Sequence, residues 1–120
     1  MTLKDCYQSF GGNYDEVLGR LQREKMVEKF VLKFLDDKSY RLLVDAMDEK
    51  QYEDALRAVH TIKGICQNLS FTRLSESSAL MTKTLRDGEF ERAAGMMAQV
   101  TQDYEQTVQS IKDYQQSKGE

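Results

Sequence analysis

The chain lacks proline and tryptophan altogether and has a single histidine among its 120 residues. Because proline ends or kinks helices, its absence allows long uninterrupted helices. No apolar run approaches the roughly 20 residues that a membrane-spanning helix needs. The first ten residues also lack the basic start and the continuous apolar stretch of a secretory signal. We therefore expect a largely helical protein that stays in the cytoplasm and does not associate with a membrane.

Cysteine is scarce as well, and this limits the metal and redox chemistry open to the chain. Cys6 and Cys66 form no CxxC pair, and no histidine stands at ligand spacing from either of them. The sequence therefore predicts no metal site and two reduced, mostly buried thiols. The 17 basic residues are spread along a chain of net charge −3, which argues against nucleic acid as a partner.

Apolar residues recur at intervals of three and four, the spacing of helices that lie on a core. Two short N-terminal helices are predicted, the first ending at Gly11 and the second capped by Asn13. Asp48 and Ser70 are predicted to cap two of the later helices. The main helices are expected over about residues 26–35, 40–48, 48–69, 70–88 and 89–116.

These segments have short links and no strand pattern, which favours an all-α fold. The prediction is an antiparallel up-and-down four-helix bundle with additional short N-terminal helices. A single domain covers residues 1–120, with residues 1–21 as an N-terminal helical cap and residues 22–118 as the bundle.

The only histidine lies in the stretch VHTIKGICQNLS, residues 59–70. On a helix that turns about 100° per residue, the apolar side chains of this segment point in one common direction, which is the predicted core face. Four other residues lie together on a second patch that faces outward: His60, Lys63, Gly64 and Gln67. Since a glycine inside a helix costs roughly 1 kcal/mol relative to alanine, Gly64 indicates that another molecule must come close.

The side chains of this patch suit an anion held beside an imidazole. Histidine is largely neutral near pH 7 and can act as a nucleophile. Lys63 lies one turn after His60 and supplies three hydrogen-bond donors on a flexible stem. Arg57 lies one turn before it, near the rim of the patch. Each charge alone would be typical of a solvated helix face, but together with Gly64 they predict an imidazole that carries a phosphoryl group.

The segment HTIKG at residues 60–64, followed by Gln67, Asn68 and Leu69, resembles the histidine-containing phosphotransfer (HPt) domain of multistep phosphorelays. The resemblance extends over about residues 30–88 and is looser in the terminal helices. It implies a four-helix bundle whose imidazole projects into solvent.

Roles for individual residues follow from this resemblance. It implies that His60 is the phosphorylated nucleophile, that Lys63 stabilises the phosphoryl oxygens, and that Gly64 lets a receiver domain approach. Gln67 would border the same surface. Arg57, which helical spacing places at the rim of the patch, is a further candidate for partner binding.

Two positions depart from the family pattern. Ser70 stands where the family often has a glycine, and serine is a good helix cap. Thr82 stands where a glutamine or glutamate of the next helix often reaches the histidine. Whether the Thr82 hydroxyl replaces part of that contact is left open by the sequence.

The expected function is that of a relay intermediate, which passes a phosphoryl group between receiver-domain aspartates and His60 without turnover of its own. Partners would be response-regulator receiver domains, with a hybrid sensor kinase as a further candidate, and we expect a monomer. No cofactor is expected, because the receiver would supply Mg²⁺. The alternatives are a bundle that binds receivers or a partner helix without carrying phosphate, and a purely structural bundle.

Independent enzymes fit the sequence less well. No segment resembles a Gly-rich nucleotide-binding loop, and one histidine cannot supply the two metal ligands of an HExxH motif.

Overall fold

The computed structural model describes residues 1–119, which form seven α-helices and no strand. Their bounds agree with the sequence prediction to within a few residues at most ends. In chain order the helices are α1 (Leu3–Ser9), α2 (Tyr14–Leu21), α3 (Glu24–Phe34), α4 (Ser39–Asp48), α5 (Tyr52–Leu69), α6 (Thr72–Arg86) and α7 (Phe90–Lys118).

The helices pack in chain order into an antiparallel bundle. α4 packs on α5, α5 on α6 and α6 on α7, while α3 contacts both α5 and α7 and so closes the bundle. The 29 residues of α7 correspond to about 43 Å of helix, and they set the long dimension of a molecule that measures 44 × 27 × 18 Å. The predicted all-α bundle with additional N-terminal helices is confirmed.

Apolar residues at helical spacing form much of the core. The apolar residues of α3 form two rows: Val27, Val31 and Phe34 of the inner row are buried, whereas the outer row, which includes Phe30, is only partly covered. Met97 of α7 is partly buried against the core.

An aromatic cluster joins the N-terminal helices to the bundle. Phe71, which follows α5, is 1% exposed. Its ring centroid lies 4.9 Å from that of Phe10, 5.2 Å from that of Phe34 and 5.6 Å from that of Tyr7, in edge-to-face arrangements. Such contacts are favourable beyond the burial of area alone. Three parts of the chain therefore meet at one ring.

Two of the predicted helix caps are wrong. Ser70 does not cap α6: it follows the last residue of α5 in a left-handed conformation with φ 58°, and Phe71 precedes α6. The Ser70 hydroxyl donates to Glu16 Oε1 of α2 at 2.6 Å. The serine side chain therefore binds a carboxylate and not the backbone N–H groups that begin α6. Asp48 does not cap α5, because α4 continues through Asp48 and the left-handed Lys50 (φ 56°) then reverses the chain.

The cap predicted for the second N-terminal helix is confirmed. The Asn13 side chain accepts a hydrogen bond from the backbone N–H of Glu16 at 3.0 Å and so caps α2 as expected.

No helix within residues 1–119 is long and apolar enough to cross a membrane.

Candidate functional site

All predicted site residues lie on α5, the helix at the centre of the packing order. Its core face is closely packed, and Val59 and Ile62 are at most 2% exposed. The opposite face carries His60 and Gln67, which are both exposed. The imidazole therefore stands outside the core on a helix that the core holds in place.

Lys63 and Gly64 complete one strip along this face, and both are partly exposed. Residues three and four positions apart on a helix have Cβ atoms about 5–6 Å from each other. The structure thus brings His60, Lys63, Gly64 and Gln67 together within two turns. The Lys63 ammonium forms no ion pair within residues 1–119, so no carboxylate of this part of the chain neutralises its charge.

Gly64 leaves a gap that the protein itself does not fill. A Cβ built at this position would have no atom of its surroundings within 4 Å. Packing inside the protein therefore does not require glycine here, although glycine destabilises a helix interior by roughly 1 kcal/mol relative to alanine. The gap suits the close approach of another molecule.

Arg57 lies at the edge of the strip and is engaged elsewhere. Its Nη1 donates to Asp54 Oδ1 at 3.1 Å, one turn towards the N-terminus of α5. With Thr61 it lines a depression of about 490 Å³ between α4 and α5. The structure does not direct the Arg57 guanidinium to the imidazole.

Thr82 of α6 is buried, and its hydroxyl donates to the Ser78 carbonyl at 2.7 Å. Within residues 1–119, no side chain of α6 forms a hydrogen bond with His60. The polar contact that the resemblance places at this position is therefore not made by Thr82.

The thiols take no part in the site. Burial raises the pKa of the Cys6 thiol to about 11 and also raises the pKa of the Cys66 thiol. Both therefore stay protonated near neutral pH, and a protonated thiol is a poor nucleophile and metal ligand. Among residues 1–119 no group of three or more His, Cys, Asp or Glu residues could hold a metal ion.

The N-terminal segment satisfies the carbonyl groups that end α5, an arrangement that the sequence did not reveal. The last carbonyls of a helix have no partner inside the helix. Here Arg20 Nη1 donates to the Asn68 carbonyl at 2.6 Å, and the Tyr7 hydroxyl donates to the Leu69 carbonyl at 2.8 Å. The backbone N–H of Asn13 donates to the Ser70 carbonyl at 2.8 Å. Residues before the bundle thus fix the end of the histidine helix.

A cleft of about 440 Å³ lies beside the C-terminal half of α5, between that helix, α2 and α3. It too was missed by the sequence analysis. Two sequence features could have indicated the cleft: the outer row of apolar residues in α3, and the apolar residue Ile65 beside the outward-facing patch of α5. Five apolar and four polar or charged residues line it: Leu21, Phe30, Phe34, Ile65 and Leu69, and Arg20, Lys33, Asp37 and Asn68.

Replacing Arg20 with methionine is expected to lower the free energy of unfolding by about 1 kcal/mol, because the carbonyl groups at the end of α5 lose a charged donor. Urea unfolding followed by circular dichroism measures this loss. Arg23→Met is the matched control: this exposed arginine precedes α3 and its side chain forms no cap hydrogen bond. Equal stability of the two variants would contradict a capping role for Arg20.

One of three comparisons with known proteins gave a match. A search of curated proteins and a search of solved structures each found no match. A family model of the Hpt domain matches residues 25–110, which is well over half of the 120 residues. Hpt domains are phosphocarriers that work in phosphorelays and interact with receiver domains. The chain belongs to the Hpt-domain family.

Proposed function

We propose that this protein is a phosphoryl carrier that uses His60 to pass a phosphoryl group between receiver-domain aspartates. The observation that carries the proposal is an exposed imidazole one turn before a glycine whose Cβ position is open. The protein would work in the cytoplasm as a monomer, with receiver domains and a hybrid sensor kinase as partners. Mg²⁺ would be supplied by the receiver.

The chemistry needs few groups from this chain. An unprotonated ring nitrogen of His60 attacks the phosphorus of a receiver's aspartyl phosphate in line. The P–N bond forms as the P–O bond to the aspartate breaks, and the carboxylate leaves. The proton on the other ring nitrogen is lost to solvent. Lys63, one turn after His60, would offset the charge of the phosphoryl oxygens, and positioning of this kind supplies much of the rate in phosphoryl transfer.

Docking explains why the site is open. A receiver must bring its aspartyl phosphate to within about 3–3.5 Å of the ring nitrogen, so the two protein surfaces must meet around His60. A side chain at position 64 would stand one turn away on the same face and hold the surfaces apart. Glycine at this position removes that obstacle.

The direct test is transfer from a phosphorylated receiver domain. The protein is incubated with Mg²⁺ and each member of a panel of receivers that carry ³²P on the aspartate. We expect label to move to this chain within minutes, in a form that is acid-labile and stable in alkali, as phosphohistidine is. If none of the receivers gives label, the proposed relay function is overturned.

A Gly64→Arg substitution is expected to slow transfer from the receiver by about 100-fold, because a long side chain would displace the reacting atoms from their aligned positions. The variant should remain folded, since nothing in the protein occupies that space. Gly95→Arg is a matched control, because Gly95 also lies inside a helix and has an open Cβ position, but that helix is α7. Normal transfer by Gly64→Arg would contradict docking at this face.

One observation favours a second function, in which the bundle binds receivers without carrying phosphate. The Thr82 hydroxyl is bound to a carbonyl of its own helix, and no side chain of α6 within residues 1–119 orients the imidazole through a hydrogen bond. A receiver that binds this protein in titration calorimetry, yet gives no acid-labile label, would support that adaptor role.

A further inference from the structure

We propose that the groove between α4 and the first half of α5 binds a basic amphipathic helix of a partner protein. This groove is the depression of about 490 Å³ that Arg57 and Thr61 help to line. The partner helix has about three turns, one apolar stripe, and lysine or arginine residues beside the stripe. The inference goes beyond the proposed relay function, because phosphoryl transfer to His60 does not require this partner.

The groove has the length and the base that a helix needs. Its wall on α4 is a row at helical spacing, formed by Ser39, Leu42, Ala46 and Glu49. From position 39 to position 49 this row is about 15 Å long at 1.5 Å per residue, the length of about three turns. Ala46 and Ala58 line the groove from its two helices, and both are only 6% exposed. These small side chains allow a third helix to approach, since packed helices have axes about 8–10 Å apart.

Leu42 provides an apolar contact that the chain leaves uncovered. It is 60% exposed, more than any other large apolar residue within residues 1–119, whereas the next residue, Leu43, is fully buried. An apolar side chain of a partner that packs on Leu42 removes this surface from water. When an amphipathic helix binds in a groove, its apolar residues at positions i, i+3, i+4 and i+7 make contacts of this kind.

The charges of the groove favour a basic partner. Three carboxylates and one guanidinium line it, from Asp45, Glu49, Asp54 and Arg57, so the lining has a net charge of −2. Arg57 pairs with Asp54 at 3.1 Å, and Arg41, which lies outside the lining, pairs with Asp45 at 3.7 Å. Pairs between exposed side chains contribute less than about 1 kcal/mol, so a lysine or arginine of the partner can compete with them.

Glu49 carries a charge that no ion pair offsets within residues 1–119, and it is exposed. Asp48 and Glu53, which are also exposed, extend the negative surface beyond the end of α4. The only basic residue among positions 45–54 is Lys50, and it does not line the groove. Charge complementarity therefore favours a lysine or arginine of the partner opposite Glu49.

The groove extends away from His60 towards the start of α5. Gln51 and Asp54 line it and precede His60 by about 14 and 9 Å along the helix axis. A partner helix in the groove therefore lies beside the imidazole and not over it. A protein that holds the bundle by this groove leaves His60 open to a receiver.

The test measures binding of a probe peptide to the full chain by fluorescence anisotropy. The probe is a fluorescein-labelled peptide of about 14 residues, with leucine at every third or fourth position and lysine at most of the others. A second peptide has glutamate in place of each lysine. We expect the basic peptide to bind with a Kd of about 10–100 μM and the acidic peptide to show no binding at about 1 mM.

Two substitutions at exposed positions connect this binding to the groove. Leu42→Asn removes the apolar contact at similar side-chain size, and its control is Leu80→Asn, at a position that is 53% exposed on α6. Glu49→Lys reverses the charge, and its control is Glu105→Lys, at an exposed position of α7. We expect Leu42→Asn to raise the Kd about tenfold. Glu49→Lys should raise it about three- to tenfold, with a smaller effect at high salt. Both controls should bind as the unmodified protein does.

The outcomes are independent of the relay test, because binding is measured without phosphate. If the two peptides bind equally well, or if the groove variants match their controls, the groove proposal is overturned and the relay function is untouched. Transfer from a receiver to Glu49→Lys should be normal. A loss of that transfer would also overturn the proposal, because the groove would then belong to the surface that binds receivers.

Discussion

Replacing His60 with glutamine is expected to abolish acceptance of phosphate from every receiver, a loss of at least about 1,000-fold, because the amide has no nucleophilic nitrogen. His60 is the only histidine in the sequence, so no second imidazole can take its place. The side chain is exposed, and substitutions at exposed positions usually change the free energy of unfolding by less than about 0.5 kcal/mol. The measurement is acid-labile ³²P after incubation with a phosphorylated receiver.

The control for this experiment is binding. Titration calorimetry with the same receiver should give a Kd within a few-fold of that of the unmodified protein, because glutamine keeps the size and polarity of the surface. Acid-labile label that persists in His60→Gln would place the phosphoryl group on another residue and contradict the assignment of the phosphoacceptor.

Replacing Phe71 with alanine is expected to lower the free energy of unfolding by about 3–5 kcal/mol, the range measured when a buried aromatic ring is removed. The ring is 1% exposed and touches Tyr7, Phe10 and Phe34, which come from two helices and the segment after α1. Since domains of this size are stable by about 5–15 kcal/mol in total, the variant should unfold at a much lower urea concentration.

Phe90→Ala provides the comparison for this loss. Phe90 stacks on Tyr52 with ring centroids 4.1 Å apart, but it is 39% exposed. Its removal should lower the free energy of unfolding by only about 1 kcal/mol. Equal losses in the two variants would show that the cluster around Phe71 does not hold the N-terminal helices to the bundle.

The sequence predicted well those features that depend only on the spacing of residues along one helix, such as which side chains are buried and which are exposed. The exposed side chain of His60 and the buried one of Val59 follow from helical spacing alone, since adjacent residues point about 100° apart. Gly64 was recognised as unsuited to a helix interior for the same local reason, and the open space at its Cβ position agrees with that reasoning.

Features that depend on distant parts of the chain could not be predicted in this way. The bond from Arg20 to the Asn68 carbonyl joins residues 48 positions apart, and no periodicity relates them. The prediction for Ser70 failed for the same reason: a serine hydroxyl can cap a helix or bind a carboxylate, and only the fold brings Glu16 within reach. The cleft beside α5 has three walls from three helices, so it exists only after packing.

The position of α1 has a consequence for how the protein is made. Leu3, Cys6 and Tyr7 are buried, and the Cys6 thiol donates to the Ser110 carbonyl, 104 residues later in the chain. At about 5–20 residues per second, that partner is synthesised roughly 5–20 s after Cys6. During this interval α1 lacks the surface of α7 on which it packs, so its apolar residues stay exposed to solvent until α7 has been synthesised.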